Sequence, residues 1–157
     1  MTASTTLVPS ATRVHLTALR DLSLAAARTG AEFTAPVAGT AQLRAVLAAL
    51  PSPTPCEVHH VTAAVGPWLD HADTATVHYH PGDGLTITAL LAPPEPGTVV
   101  DRVMVATALV RVGHDHGADA IDYRDGGLWT PAAPLPLHSV GPGVATGVRL
   151  HWNAVGS

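Results

Sequence analysis

The sequence has 157 residues but no lysine, and its eight basic side chains are all arginines. Without a lysine, the protein cannot form a Schiff base or use an amine as a general base. The arginines are scattered from Arg13 to Arg149, and the formal net charge is −4. A nucleic-acid surface needs grouped cations to contact phosphates. The sequence therefore predicts no nucleic-acid partner.

Charged residues, cysteines and long apolar runs are also scarce. Charged residues make up 13% of the chain, about half of the usual ~25%. The single cysteine, Cys56, cannot form an internal disulfide. No apolar run reaches the ~18 residues of a membrane span, and Met1 to Ser10 lack the regions of a signal peptide. These features, with a composition typical of a GC-rich genome, predict a cytoplasmic bacterial protein with no membrane partner.

Histidine is abundant in contrast: the chain has ten. Imidazole is the one side chain that ordinarily titrates near neutrality, and it is the strongest metal ligand that this composition offers. Six of the histidines form close pairs in the sequence, which are His59 with His60, His78 with His80, and His114 with His116. These pairs are the first candidates for a metal site or an acid–base site.

Two segments show the apolar spacing of helices. Thr40 is a plausible N-cap for a helix whose apolar residues recur at every third or fourth position until Pro51. The second helix, Val99 to Val112, is apolar on nearly every side. Such a helix is expected to pack on a sheet and also against a second chain. The residues that we assign to this interface are Val99, Val103 and Val110.

The remaining segments predict strands. Thr74 to His80 and Leu85 to Leu91 flank a Pro-Gly-Asp-Gly turn, which indicates a hairpin. The other predicted strands are Val14 to Leu19, Glu57 to Val65, Asp119 to Arg124, Leu128 to Thr130 and Gly147 to Asn153. Helices interposed among hairpins predict an α+β fold, a mostly antiparallel sheet of about five to seven strands with two to three helices on one side. We expect a flexible leader over residues 1–11 and a single domain over 12–157.

His78 and His80 are the best candidates for metal ligands. Residues two apart on a strand point to the same face, so the two imidazoles could share one ion. Zinc, iron or copper would need a third ligand. The candidates for that ligand are His60, Asp83 and His151. The alternative is a polar strand face on which these positions happen to be histidine.

The other candidate groups have structural explanations. His114 and His116 follow the long apolar helix, where donor side chains stabilise the free carbonyl groups of a helix C-terminus. Cys56 lies three residues before His59, but a lone cysteine near a proline loop is more often structural than catalytic. Asp122 and Tyr123 remain as single acid–base candidates on a strand.

These observations leave two hypotheses about function. The first is a small non-catalytic module that binds a protein partner or a second copy of itself and needs no cofactor, because charge is scarce and no complete catalytic set occurs. The second is a metal protein or metal-dependent enzyme centred on His78 and His80, with zinc, iron or copper as the ion.

Overall fold

A computed structural model of the protein describes residues 24–91, 99–132 and 146–155. The predicted leader over residues 1–11 and the predicted strand from Val14 to Leu19 lie outside these ranges. The described helices are α1 (24–29), α2 (Gly39–Ala48), α3 (Val58–Leu69) and α4 (Val99–Asp115). The strands are β1 (Phe33–Pro36), β2 (Thr74–His80), β3 (Gly84–Leu91), β4 (Ala120–Asp125), β5 (Thr130–Pro131) and β6 (Thr146–Asn153). This confirms the predicted α+β fold.

The six strands form one sheet in the order β1-β2-β3-β6-β4-β5. Every neighbouring pair is antiparallel. The last strand, β6, lies between β3 and β4, so it pairs with both halves of the chain. This central position brings Arg149 and His151 of β6 next to residues that are far away in the sequence.

Side chains alternate between the two faces of the sheet, as strand geometry requires. On one face of β3, Leu85, Ile87 and Ala89 are buried, while Thr86 and Thr88 on the other face are half-buried. The predicted strand from Gly147 to Asn153 is confirmed as part of β6, and its alternate residues Val148, Leu150 and Trp152 are all buried. The buried face packs with the helices into one core, with Leu43, Leu47, Val61, Val65, Leu109 and Val110 among its helical residues.

The predicted hairpin is confirmed. β2 and β3 pair from Thr74 with Leu90 to His80 with Gly84, around a turn at residues 81–83. Gly84 has a φ of 114°, a backbone conformation that residues with a Cβ rarely adopt. A Cβ at this position would lie 2.0 Å from the main-chain oxygen of Trp152. Gly84 therefore permits both the turn and the close approach of β6.

The predicted strand from Glu57 to Val65 is wrong, because Val58–Leu69 forms helix α3. Its run of Val and Thr residues indicates a strand locally, but Val61, Val65 and Leu69 lie on one helical face and are buried. Gly66, the residue after the predicted strand, belongs to the same helix. It lies within α3 against α2, where a Cβ would come within 2.7 Å of Thr40 Cα. Packing between the two helices thus outweighs the local strand preference.

Helix α4 is longer than predicted and continues to Asp115. It ends before Gly117, which has a φ of 75°. The predicted interface residue Val110 is only 1% exposed and lies in the protein's own core, so it offers no surface to a partner. Val99 and Val103 lie in the part of α4 whose side chains are outside the described residues. Among the described side chains of α4, Met104 is the large apolar one that is exposed.

Within the described ranges, every helix falls short of the length and apolarity that a membrane crossing would need.

Candidate functional site

The face of the sheet opposite the helices carries polar side chains around an open concavity. Its volume is about 530 Å³, within the range of about 300–1,000 Å³ of small-molecule sites. The floor crosses four neighbouring strands. His78 of β2 is opposite Thr86 of β3, and Thr86 is opposite His151 of β6. Arg149 of β6 is in turn opposite Asp122 of β4. The lining residues are His78, Thr86, Thr88, Ala120, Asp122, Arg149 and His151. Four strands thus contribute to one polar surface.

The charged centre of the concavity is an ion pair between Arg149 and Asp122. The two residues are direct cross-strand neighbours on β6 and β4. Arg149 Nη2 donates to Asp122 Oδ2 at 3.1 Å, and Nε donates to the same oxygen at 3.3 Å. The Arg149 and Asp122 side chains are 35% and 23% exposed, respectively. Two hydrogen bonds to one oxygen hold the guanidinium in a defined orientation.

Trp129 further restrains Arg149. The guanidinium carbon lies 4.5 Å from the centre of the indole ring, which is a cation–π contact. The indole in turn rests on Gly147 of β6, where a Cβ would lie only 2.6 Å from Trp129 Cη2. The absence of a side chain at Gly147 therefore allows Trp129 to lie against the sheet beside the concavity.

His151 is held by hydrogen bonds at both ring nitrogens. Its Nε2 lies 3.0 Å from the main-chain oxygen of Asp83, which can only accept, so Nε2–H is the donor. In the neutral ring, Nδ1 then accepts from the Thr86 hydroxyl at 2.8 Å. Both nitrogens of His151 thus have partners, and a metal ion would have to displace one of them.

His78 is held in a similar way at the β1 side of the sheet. Its Nε2 lies 3.2 Å from Glu32 Oε2, and its Nδ1 lies 2.8 Å from the Thr34 hydroxyl. An ionised carboxylate can only accept a hydrogen bond, so Nε2 carries a proton, and in the neutral ring the Thr34 hydroxyl then donates to Nδ1. Strand β1 was not predicted, and neither of these partners was recognised from the sequence.

His80, at the hairpin turn, also accepts a hydrogen bond at Nδ1. The main-chain N–H of Gly82 donates to His80 Nδ1 at 2.9 Å, so Nδ1 carries the lone pair and Nε2 the proton. Asp83 Oδ2 is 3.8 Å from the same nitrogen. Coordination through Nε2 would move the proton to Nδ1, where it would face the Gly82 N–H, which cannot accept it. The turn therefore disfavours metal binding at Nε2 of His80.

The structure places His78, His80 and His151 on one face of the sheet, as expected, but it separates them from His60. His60 lies on α3, is exposed, and pairs with Glu57 at 3.4 Å. Asp83 contacts His151 through its main chain and His80 through its carboxylate. Among the described residues, no group of three or more His, Cys, Asp and Glu side chains is close enough to hold a metal ion. The metal site remains a prediction.

The other sequence candidates have mainly structural surroundings. His114 lies within the last turn of α4, near the helix C-terminus and not after the helix as predicted. The main-chain oxygen of His116 accepts from Trp152 Nε1 at 3.0 Å, which ties the end of α4 to β6. Tyr123 is half-buried on β4, where burial, followed by the negative charge of Asp125, raises its pKa. A raised pKa makes the phenol a weaker acid and provides no ionised group near neutrality.

Cys56 is a half-buried free thiol, and burial, followed by the charge of Glu57, raises its pKa to about 11. Relative to an ordinary thiol of pKa 9.0, the thiolate fraction below pH 9 is then about a hundredfold smaller. We expect Ellman's reagent to label Cys56 at pH 8 about a hundred times more slowly than a short cysteine peptide. The rate should recover in urea. A folded protein that reacts as fast as the peptide would contradict this prediction.

Comparisons of the chain with known protein families, with curated proteins and with solved structures found no match. The function must therefore be argued from the site itself.

Proposed function

We propose that the protein is a small non-catalytic binding module and that the concavity opposite the helices is its binding site. The observation that supports this proposal is the set of fixed polar groups that lines the concavity. Arg149, His78 and His151 are each held by neighbouring side chains or main-chain atoms. Groups that are already oriented lose little conformational entropy when a ligand binds.

The shape of the site favours a small ligand over a second copy of the same face. Two copies of a concave surface cannot fill each other, so a dimer formed through this face would enclose an empty or water-filled space. A small polar molecule can instead contact the floor and Arg149 together. The sequence suggested a module that binds a protein or a second copy of itself. For the concavity we propose a small polar molecule as the ligand instead.

Self-association through α4 is a second proposal. It rests on Met104, which is 58% exposed, whereas Val105, Leu109 and Val110 of the same helix are buried in the core. An exposed methionine of this kind is common at protein interfaces. This surface is distinct from the concavity, so the two proposals can be tested separately.

The binding proposal predicts a measurable ligand response at one face of the sheet. We would record ¹H–¹⁵N spectra while adding a monosaccharide, acetate, methylammonium and acetamide in turn at high millimolar concentration. At least one compound should move the amide signals of Thr86, Thr88 and Arg149. Thr88→Trp should abolish the response because its large side chain fills the concavity. Ala41→Trp, on the exposed surface of α2, should leave it unchanged.

Two results would contradict the proposal: no compound moves these signals, or Thr88→Trp leaves the response intact. Metal analysis of the untagged protein tests the alternative function. Stoichiometric metal that disappears in a His78→Ala/His80→Ala double variant would favour the metal protein over the binding module. The mass in solution of the same sample tests self-association, and a strictly monomeric protein at high concentration would rule it out.

A further inference from the structure

We infer that the ligand of the concavity is a neutral polyol, such as a saccharide, bound through vicinal hydroxyl groups. This inference rests on the proposed function and names the class of ligand. It comes from the hydrogen-bonding capacity that the Arg149–Asp122 pair leaves unused.

The ion pair leaves N–H donors of Arg149 and lone pairs of Asp122 unused. Both hydrogen bonds from Arg149, through Nε and Nη2, end on Oδ2 of Asp122. Among the contacts of the described residues, Arg149 Nη1 and Asp122 Oδ1 therefore have no hydrogen-bond partner. Both side chains line the concavity. A ligand that accepts at one atom and donates at a neighbouring atom can satisfy both.

The charges at this centre select against simple ions. An anion attracted by Arg149 also meets the negative charge of Asp122 a few ångströms away, and a cation attracted by Asp122 meets Arg149. The two Coulomb contributions largely cancel for either ion. A neutral ligand avoids this conflict and still forms charge-assisted hydrogen bonds with both groups. A vicinal diol fits this requirement, because one hydroxyl accepts and the next one donates.

The floor of the concavity offers further hydrogen-bonding groups to a ligand. The Thr86 hydroxyl donates its proton to His151 Nδ1, so it is left as an acceptor for a ligand. Thr88 lies on the same face of β3, two residues farther along the strand, and its hydroxyl can both donate and accept. A single amide group offers too few polar atoms to use all four positions, whereas a ring with several hydroxyls can.

The test measures dissociation constants for glucose, galactose, mannose, N-acetylglucosamine and myo-inositol, with acetate, methylammonium and acetamide as comparators at equal ionic strength. The readout is again the movement of the Thr86, Thr88 and Arg149 amide signals. We expect at least one polyol to bind more tightly than every comparator. Asp122→Asn should raise the dissociation constant of that polyol about tenfold, because the variant loses a charge-assisted hydrogen bond to the ligand while the side chain keeps its shape.

Asp125→Asn is the matched control. It removes the same charge from the same strand, but residue 125 lies on the opposite face of β4 from Asp122. We expect it to change the affinity by less than about twofold.

The possible failures are distinguishable. Tighter binding of acetate, methylammonium or acetamide at this face would overturn the polyol inference and leave the binding module intact. A polyol response that Asp122→Asn does not weaken would also overturn the inference. If no compound moves these signals, both the inference and the proposed function are wrong.

Discussion

Replacing Gly84 by alanine is expected to cost about 4 kcal/mol or more of folding free energy, a large part of the stability of a typical domain. Two effects combine: a residue with a Cβ is strained at a φ of 114°, and the added Cβ would lie 2.0 Å from the main-chain oxygen of Trp152. That oxygen belongs to the neighbouring strand β6 and cannot move without breaking the pairing with β3. Native proteins are stabilised by only about 5–15 kcal/mol. Urea denaturation followed by circular dichroism measures the loss.

Gly117→Ala is the matched control for Gly84→Ala. Gly117 also has a positive φ, of 75°, but a Cβ there would meet no atom within 4 Å. Only the conformational cost remains, and we expect about 1 kcal/mol. If the two variants lose the same stability, the contact between the hairpin and β6 does not have the importance that we assign to it.

Truncating Trp152 to alanine is expected to destabilise the protein by about 3–5 kcal/mol. Trp152 is 2% exposed and is one of the largest side chains in the core. Its Nε1–H also donates to the main-chain oxygen of His116 at 3.0 Å, so the variant loses the link between β6 and the end of α4. The free energy of unfolding from urea titration provides the measurement.

Trp152→Phe separates the two contributions of this side chain. The phenyl ring keeps most of the packing but cannot donate a hydrogen bond, and we expect a loss of about 1–2 kcal/mol. The alanine variant should therefore be clearly less stable than the phenylalanine variant. Equal losses would mean that the hydrogen bond, and not the packing, accounts for the effect of Trp152.

The elements that could be predicted from the sequence have periodic patterns of their own. The β2–β3 hairpin has alternating residues around a glycine-rich turn, and β6 has alternating apolar and polar residues. Helix α3 was not predicted, because its Val and Thr residues favour a strand locally. Its helical form depends on burial of Val61, Val65 and Leu69 within the helical layer, and that burial is a property of the assembled fold. Strand β1 has only four residues, too few for a pattern to stand out.

The candidate site was only partly visible in the sequence. Two-residue spacing was enough to place His78 with His80, and Arg149 with His151, on shared strand faces. It could not show that Arg149 pairs with Asp122, 27 residues away, or that His151 contacts Asp83, 68 residues away. Trp129 was also missed, because its position depends on the space above Gly147. Gly147, the second residue of β6, was the one available signal, since a glycine within a strand often marks a close approach.

By itself, then, the sequence determined the α+β class, the hairpin, the faces of β6, and the absence of lysine chemistry. These features follow from composition and from periods of two and 3.6 residues, which act over short stretches of chain. Only the tertiary structure decided what the histidines do. By inserting β6 between β3 and β4, it gave His151 hydrogen-bond partners at both nitrogens and left a polar concavity centred on Arg149 and Asp122. Strand order governs such contacts, and no local pattern encodes it.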